Sequence, residues 1–185
     1  MKKSVFQTIG KRWLPLCFSG ILLLFGCKEE NLNADVEYTG PTSETNDVVM
    51  LYSDSARLAV KMMTPRRLEQ ANGDHIFPQE VKLFFYDRSG RQTSTLRSDS
   101  GRFYPSRNLF IVKGHVVVTR KKEKDTLLTD ELTWSKDSKK FYTDKAVIWR
   151  TAFNELHGVG FAAEQDMSGY VLRKPTGTLP MSNLP

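Results

Sequence analysis

The sequence predicts an all-β protein, and three observations predict it. One pattern occurs twice at an offset of 31 residues: LRSDSGRFYPSRNLFIVKGHVVVTR, beginning at Leu96, and LLTDELTWSKDSKKFYTDKAVIWR, beginning at Leu127. Apolar and polar side chains alternate in short segments cut by turn residues every ten to twelve positions, the spacing of stacked antiparallel strands. No window carries a sustained helical apolar period, although 66–72 has room for one helical turn.

The repeat preserves chemistry position by position. Asp99 falls on Asp130, Phe103 on Trp134, Phe110 on Phe141, Ile111 on Tyr142, Val116 on Val147 and Val118 on Trp149. A looser third copy places Leu156 on Leu128 and Tyr170 on Tyr142 at an offset of 28. A unit of this length is a strand pair that cannot bury its apolar face alone, so copies stack.

Taken in order, strands are expected over 48–53, 57–63, 80–86, 92–97, 101–104, 109–120, 126–135, 140–150, 155–163 and 169–174. The segments 87–90, 105–108, 121–125, 136–139 and 166–169 have the composition of turns. Lys136, in one of these turns, is expected to point outward. Gly114, inside a β-rich strand, predicts a bulge or bend. Ser98-Asp99 and Thr129-Asp130 recur in register and are expected at turns or strand entries.

Several strands are apolar on both parities. In 109–118 one parity carries Leu109, Ile111 and Val117, the other Phe110, Val112, Val116 and Val118, and Val81, Leu83, Phe84 and Phe85 behave alike. Either a central strand is covered by a loop, or the sheets splay and line an apolar groove, since a sheet with one wet face alternates more cleanly. Under the groove reading the lining candidates are Phe84, Phe103, Phe110, Val116, Val118 and Trp134.

Upstream of the strands, residues 1–27 have a basic start, an apolar run from Trp13 to Phe25, and Gly26-Cys27. This is the grammar of an export signal. Leu24-Phe25-Gly26-Cys27 resembles a lipoprotein signal box with Cys27 as acyl acceptor, giving a signal peptide over 1–26 and a periplasmic, lipid-anchored product. The run is short for a membrane span. Residues 27–47 are then the lipidated cysteine and a polar tether, 48–177 the folded domain and 178–185 a tail. Lys28-Glu29-Glu30 reads as plain tether or as a surface-sorting signal.

The formal charge of +6 is concentrated in the signal. Without Lys2, Lys3, Lys11 and Arg12, the 27 basic residues fall to 23 against 21 acidic ones, which argues against nucleic acid as a partner. His75, His115 and His157 lack neighbours at metal-ligand spacing, and no phosphate loop, nucleophile elbow or zinc-protease motif occurs. No catalytic residue, metal or cofactor is expected, and the chain reads as a non-enzyme. Arg120, Lys121, Lys122 and Lys124 cluster at one strand end as a solvated turn, with lipid phosphates as the second reading.

The succession TLRSDSGRFY, LTDELTWSKDSKKFYTDKAVIW and LHGVGFAAEQDMSGYVLRKPTG resembles the LptC proteins of lipopolysaccharide export, in the lineage that begins as a lipoprotein. The likeness covers about 48–177 and is most specific through Gly158-Val159-Gly160-Phe161. It implies a twisted, open antiparallel β jelly roll, similar to those of LptA and the periplasmic part of LptD. It further implies a groove for lipopolysaccharide acyl chains, receipt of lipid from the LptB, LptF and LptG transporter at the inner membrane, and transfer to LptA by end-to-end sheet pairing. The lipobox stands where many LptC proteins keep a transmembrane helix. The rival reading is a surface or periplasmic lipoprotein that binds a glycan or a protein partner without handling lipid.

Overall fold

The computed structural model describes residues 38 and 40–176. Twelve strands form one antiparallel sheet: β1 (Ser43–Asp54), β2 (Arg57–Glu69), β3 (His75–Phe77), β4 (Val81–Tyr86), β5 (Gln92–Ser98), β6 (Ser100–Tyr104), β7 (Leu109–Arg120), β8 (Thr126–Ser135), β9 (Lys140–Arg150), β10 (Glu155–Glu164), β11 (Val171–Leu172) and β12 (Pro175–Thr176). One 3-10 turn, Pro105–Arg107, links β6 to β7. The fold is all-β, as the sequence pattern predicts, and of the open jelly-roll type that the resemblance implies.

The topology is a meander once two interruptions are recognised. β3 and β4 both pair with β2, at Leu68–Glu69 and Val60–Met63 respectively, and act as two pieces of one strand. β5 and β6 likewise share one edge of β7. Each long strand therefore lies beside its sequence neighbours, with β1 at one end and β10, flanked by β11 and β12, at the other.

A line of backbone irregularities crosses the strands and folds the sheet into two layers. It runs through Asp47 in β1, Thr64-Pro65 in β2, 78–80 between β3 and β4, Asp99 between β5 and β6, and Gly114-His115 in β7. It continues through the register shift after Thr129 in β8 and through Gly160 in β10. Bulges of this kind raise the local bend and let one strand pass from one layer to the next. The upper layer holds β4, β5 and the halves of β2, β7, β8, β9 and β10 on one side of the line; the lower holds β3, β6 and the remaining halves.

Buried hydroxyls satisfy the backbone where the ladder breaks. Thr64, Ser98, Thr129 and Thr143 are buried beside the line. Ser98 Oγ donates to Ser100 O at 3.0 Å, Thr129 Oγ1 to Ala146 O at 2.8 Å, and Thr143 Oγ1 accepts the Lys145 N–H at 3.1 Å. A carbonyl left without a partner here would cost about 1–3 kcal/mol. Ser98-Asp99 and Thr129-Asp130 thus mark mid-strand bends rather than turns or strand entries, which is why they recur in register.

Gly114 is the bend that the sequence predicts. Its φ is +78°, and an added Cβ would lie 2.6 Å from Asp99 Oδ2. The next residue, His115, is also left-handed at φ 42°. Its ring meets Asp99 Oδ2 through Nδ1, while the Asp99 N–H donates to Gly114 O at 3.0 Å, so the bends of two neighbouring strands are clasped together.

Besides β3, which falls where no strand is expected, the strands depart from expectation in three main places. β1 begins at Ser43, because the polar run 43–46 is held by pairing with Arg66–Glu69 and by a Glu44–Arg66 ion pair of 2.7 Å. The segment given room for a helical turn continues β2 to Glu69, where the bend at Thr64-Pro65 carries it into the lower layer. The expected strand over 169–174 is instead two short pieces, β11 and β12, which return across β10 where Gly158 leaves space: a Cβ there would meet Arg173 O at 2.9 Å.

Replacing Gly114 with Ala is expected to cost about 1–3 kcal/mol, the range for forcing a side chain into this conformation, read as a lowered midpoint in chemical denaturation. His115 and His75 should titrate in opposite directions. The hydrogen bond to Asp99 raises the His115 pKa above its ordinary value, whereas burial lowers that of His75. The His115–Asp99 clasp is therefore fully formed below about pH 6.5 and weakens as pH rises through the raised value. An NMR titration of the ring protons checks both, and Asp99→Asn should bring His115 back toward its ordinary value.

Candidate functional site

The two layers enclose a trough that is filled at one end and open at the other. At the β10 end Trp149, Phe161 and Tyr170 form a ring stack, with centroid separations of 5.5 Å for Trp149–Phe161 and 4.8 Å for Trp149–Tyr170. In the middle Phe85, from the upper layer, meets Trp134 and Phe141 of the lower layer edge-on at 5.3 and 5.2 Å. Toward β1 the packing opens into an apolar cleft of about 170 Å3. Its upper wall includes Met50, Tyr52, Val60, Met62 and Leu83, and its lower wall Phe77, Phe103, Phe110, Trp134 and Lys136.

Strand alternation decides which predicted residues reach this cleft. Phe103, Phe110 and Trp134 line it. Val116 and Val118 lie on the same inward parity but beyond the bend, fully buried in the adjoining core. Phe84 does not line it: in β4 the inward parity is Val81, Leu83 and Phe85, and Phe84 stands on the opposite face. The two-sided apolar strands thus have one buried parity, Phe110, Val112, Val116 and Val118, and one half-buried outer parity, Leu109, Ile111 and Val117.

The sequence reading missed the upper wall. Met50, Tyr52 and Met62 alternate with polar or exposed neighbours in β1 and β2, but the facing surface could be identified only once the bend showed where those strands fold over. It also placed Lys136 outward. Lys136 is half-buried, its Nζ 3.9 Å from the Tyr52 ring centroid and 6.0 Å from that of Phe103. The reason is again the bend, which brings the β8–β9 turn of the lower layer against β1 of the upper one.

A polar mouth of about 770 Å3 adjoins the cleft and shares Tyr52 and Lys136 with it. It lies where the hairpin tips of the two layers meet. Lys139 Nζ is 2.5 Å from Asp54 Oδ2, and together with the Ser55 hydroxyl it holds the Asp54 carboxyl below its ordinary pKa. Asp87 is held at about 2 by the Ser89 hydroxyl, backbone N–H groups and Arg91. Further along, Ser94 Oγ donates to Gln165 O at 3.0 Å and Arg120 Nη2 to Met167 O at 3.2 Å, joining the layers. Arg120 is also paired with Glu123 and Asp125, whereas Lys121, Lys122 and Lys124 are exposed on their turn.

Cys27 and the expected signal peptide, residues 1–26, lie outside the described residues. Among the described residues, no group of three or more His, Cys, Asp or Glu is placed to hold a metal, and no helix is long and apolar enough to cross a membrane.

An antiparallel sheet folded over an elongated apolar interior that opens at one end into a cleft defines a β-trough protein of the open jelly-roll type. The family model described as "Lipopolysaccharide-assembly, LptC-related" matches residues 26–174. The chain belongs to this LptC family, and membership implies a role in lipopolysaccharide export. Proteins of the family are transport scaffolds of the periplasm, associated with the inner membrane. No curated protein matches the chain.

The parity assignment is testable by a pair of substitutions. Phe85→Ala should destabilise the protein by about 3–5 kcal/mol, because it empties the contact between the layers. Phe84→Ala, on the outer face, should cost roughly half of that or less. Denaturation midpoints of the two variants compare them directly.

Proposed function

We propose that this chain is a membrane-anchored periplasmic scaffold that accepts lipopolysaccharide from the LptB, LptF and LptG transporter and passes it to LptA through the apolar trough. Acylation of Cys27 attaches it to the inner membrane, with the first residues after the cysteine as a tether. The observation that carries the reading is the apolar cleft between the layers of an LptC-family sheet. A lipid crossing water needs its chains covered, and burial at about 25 cal/mol per Å2 offsets their removal from a bilayer. Such transfer uses no covalent chemistry, no metal and no cofactor of this chain.

The sheet ends support hand-off by edge pairing. β1 pairs only with β2, which leaves a twelve-residue strand with one unpaired edge among the described residues. Val49 and Leu51 are more than half exposed on it. At the opposite end β10 is flanked by two two-residue strands. An unpaired edge offers backbone donors and acceptors to a partner's strand. The rival reading, a lipoprotein that binds a glycan or protein partner, draws support from Lys28-Glu29-Glu30 read as a surface-sorting signal and from the exposed apolar residues of β1, which fit a protein partner equally well.

Photo-crosslinking in living cells tests the proposal, with the probe at Phe103 or Met50 inside the cleft and at Lys82 on the outer face. Lipopolysaccharide adducts are expected at the first two positions and not at the third. Equal labelling everywhere, or none in an exported and folded protein, would favour the rival. Lys136 is unsuitable as an outer control because it stands at the cleft.

A further inference from the structure

We propose that Lys136 forms an anion subsite at the junction of cleft and mouth, where it holds the phosphate of an amphiphile whose chain lies among Phe103, Phe110 and Trp134. This rests on the reading that the cleft takes acyl chains, and it specifies the class of headgroup.

The first support is where the charge stands. Lys136 is the cation among the residues lining the apolar cleft, and its Nζ is set against aromatic rings rather than a carboxylate. Among the described residues no carboxylate lies within ion-pair distance of it, whereas the lysines that follow are matched, Lys139 to Asp54 and Lys140 to Glu164. A half-buried ammonium with only ring faces for partners retains hydrogen-bonding capacity, because it has three N–H donors.

The second support is the state of the mouth. Its carboxylates are engaged: Asp54 by Lys139 and Ser55, Asp87 by Ser89 and Arg91, Glu164 by Lys140, and Asp166 by Ser168. Two further cations of the same mouth, Arg57 and Arg88, make no ion pair among the described residues, although the charge of Arg88 helps to keep Asp54 ionised, and Arg57 donates to the Arg88 carbonyl at 3.0 Å. A phosphate entering here meets Lys136 and Arg57, cations with no ion-pair partner among the described residues. Charge-assisted N–H to phosphate contacts are stronger than neutral ones, and desolvation at the cleft edge strengthens them further.

The third support is continuity. Tyr52 and Lys136 belong to both cavities, so an anion at Nζ is at once beside water and beside the aromatic wall. That is the geometry of a charged head joined to a chain, and a free anion gains nothing from the wall.

The test uses the full-length chain in phosphatidylcholine nanodiscs, labelled with a photoreactive dodecyl phosphate or with the uncharged photoreactive dodecyl maltoside. Adducts on cleft peptides are counted by mass spectrometry. Lys136→Met should lower phosphate labelling roughly tenfold to a hundredfold, the range for losing a hydrogen bond to a charged group, while Lys136→Arg retains most of it. Maltoside labelling should be the same in all three proteins, which also shows that the variants are folded. Inorganic phosphate at equal concentration should not compete. Equal phosphate labelling of wild type and Lys136→Met, or competition by inorganic phosphate, would overturn the subsite and leave acyl binding intact. Absence of cleft adducts with both amphiphiles would instead overturn the acyl-chain reading itself.

Discussion

The line of bends is the constraint on which the rest depends. A flat twelve-strand sheet of this sequence would leave its apolar parity in water. Folding every strand at nearly the same height puts Phe85 against Trp134 and Phe141, residues far from it along the sheet. The ladder must be interrupted to do this, and each interruption exposes backbone groups in what becomes the interior. The buried hydroxyls of Thr64, Ser98, Thr129 and Thr143 meet that demand locally, with their side chains directed to carbonyls or N–H groups near the break. The bend also requires left-handed backbone at Asp47, Gly114, His115 and Gly160. The non-glycine members carry a conformational cost, and at His115 the contact with Asp99 offsets it.

The same bend makes the repeat intelligible. Asp99 and Asp130 recur because both follow a buried hydroxyl at the fold line, and Phe110 recurs on Phe141 because both are inward residues one half-strand away from it. Alternation and turn composition made nearly every long strand legible, since those signals are local. β3 was not legible: three residues, His75–Phe77, have no period to read, and only pairing with β2 and β6 defines them. The continuation of β2 was hidden for a related reason, because Pro65 ordinarily ends a strand and here marks its bend.

The candidate site was legible by half. Phe103, Phe110 and Trp134 follow from alternation together with the repeat. Phe84 was misplaced because Phe84 and Phe85 are adjacent aromatics, and adjacency cannot say which parity faces in. Only register resolves it: Phe85 pairs with Val60 and Ser94, all three buried. Lys136 was misplaced because turn composition implies solvent, while the position of a turn in the other layer is a tertiary fact. Residues opposite one another across a folded sheet have no relation in sequence that a single chain displays.

The cleft is small for a multi-acylated lipid. Its volume, about 170 Å3, falls below the roughly 300–1,000 Å3 of ordinary ligand pockets. Under the proposed function, lipid entry requires the layers to part, and the structure distributes its strength unevenly against that motion. On the fold line the layers are joined by continuous backbone. At the hairpin tips they are joined by side-chain contacts: Lys139 with Asp54, Lys136 on the Tyr52 ring, Ser94 with Gln165 and Arg120 with Met167. Exposed ion pairs are worth about 1 kcal/mol or less, and single hydrogen bonds about 0.5–1.5 kcal/mol. Separation at the tips near β1 breaks few of these and leaves the buried Phe85 contact and the Trp149 stack in place. A trough that yields at its open end and stays packed at the other is what the proposed function needs, since it would admit chains without unfolding.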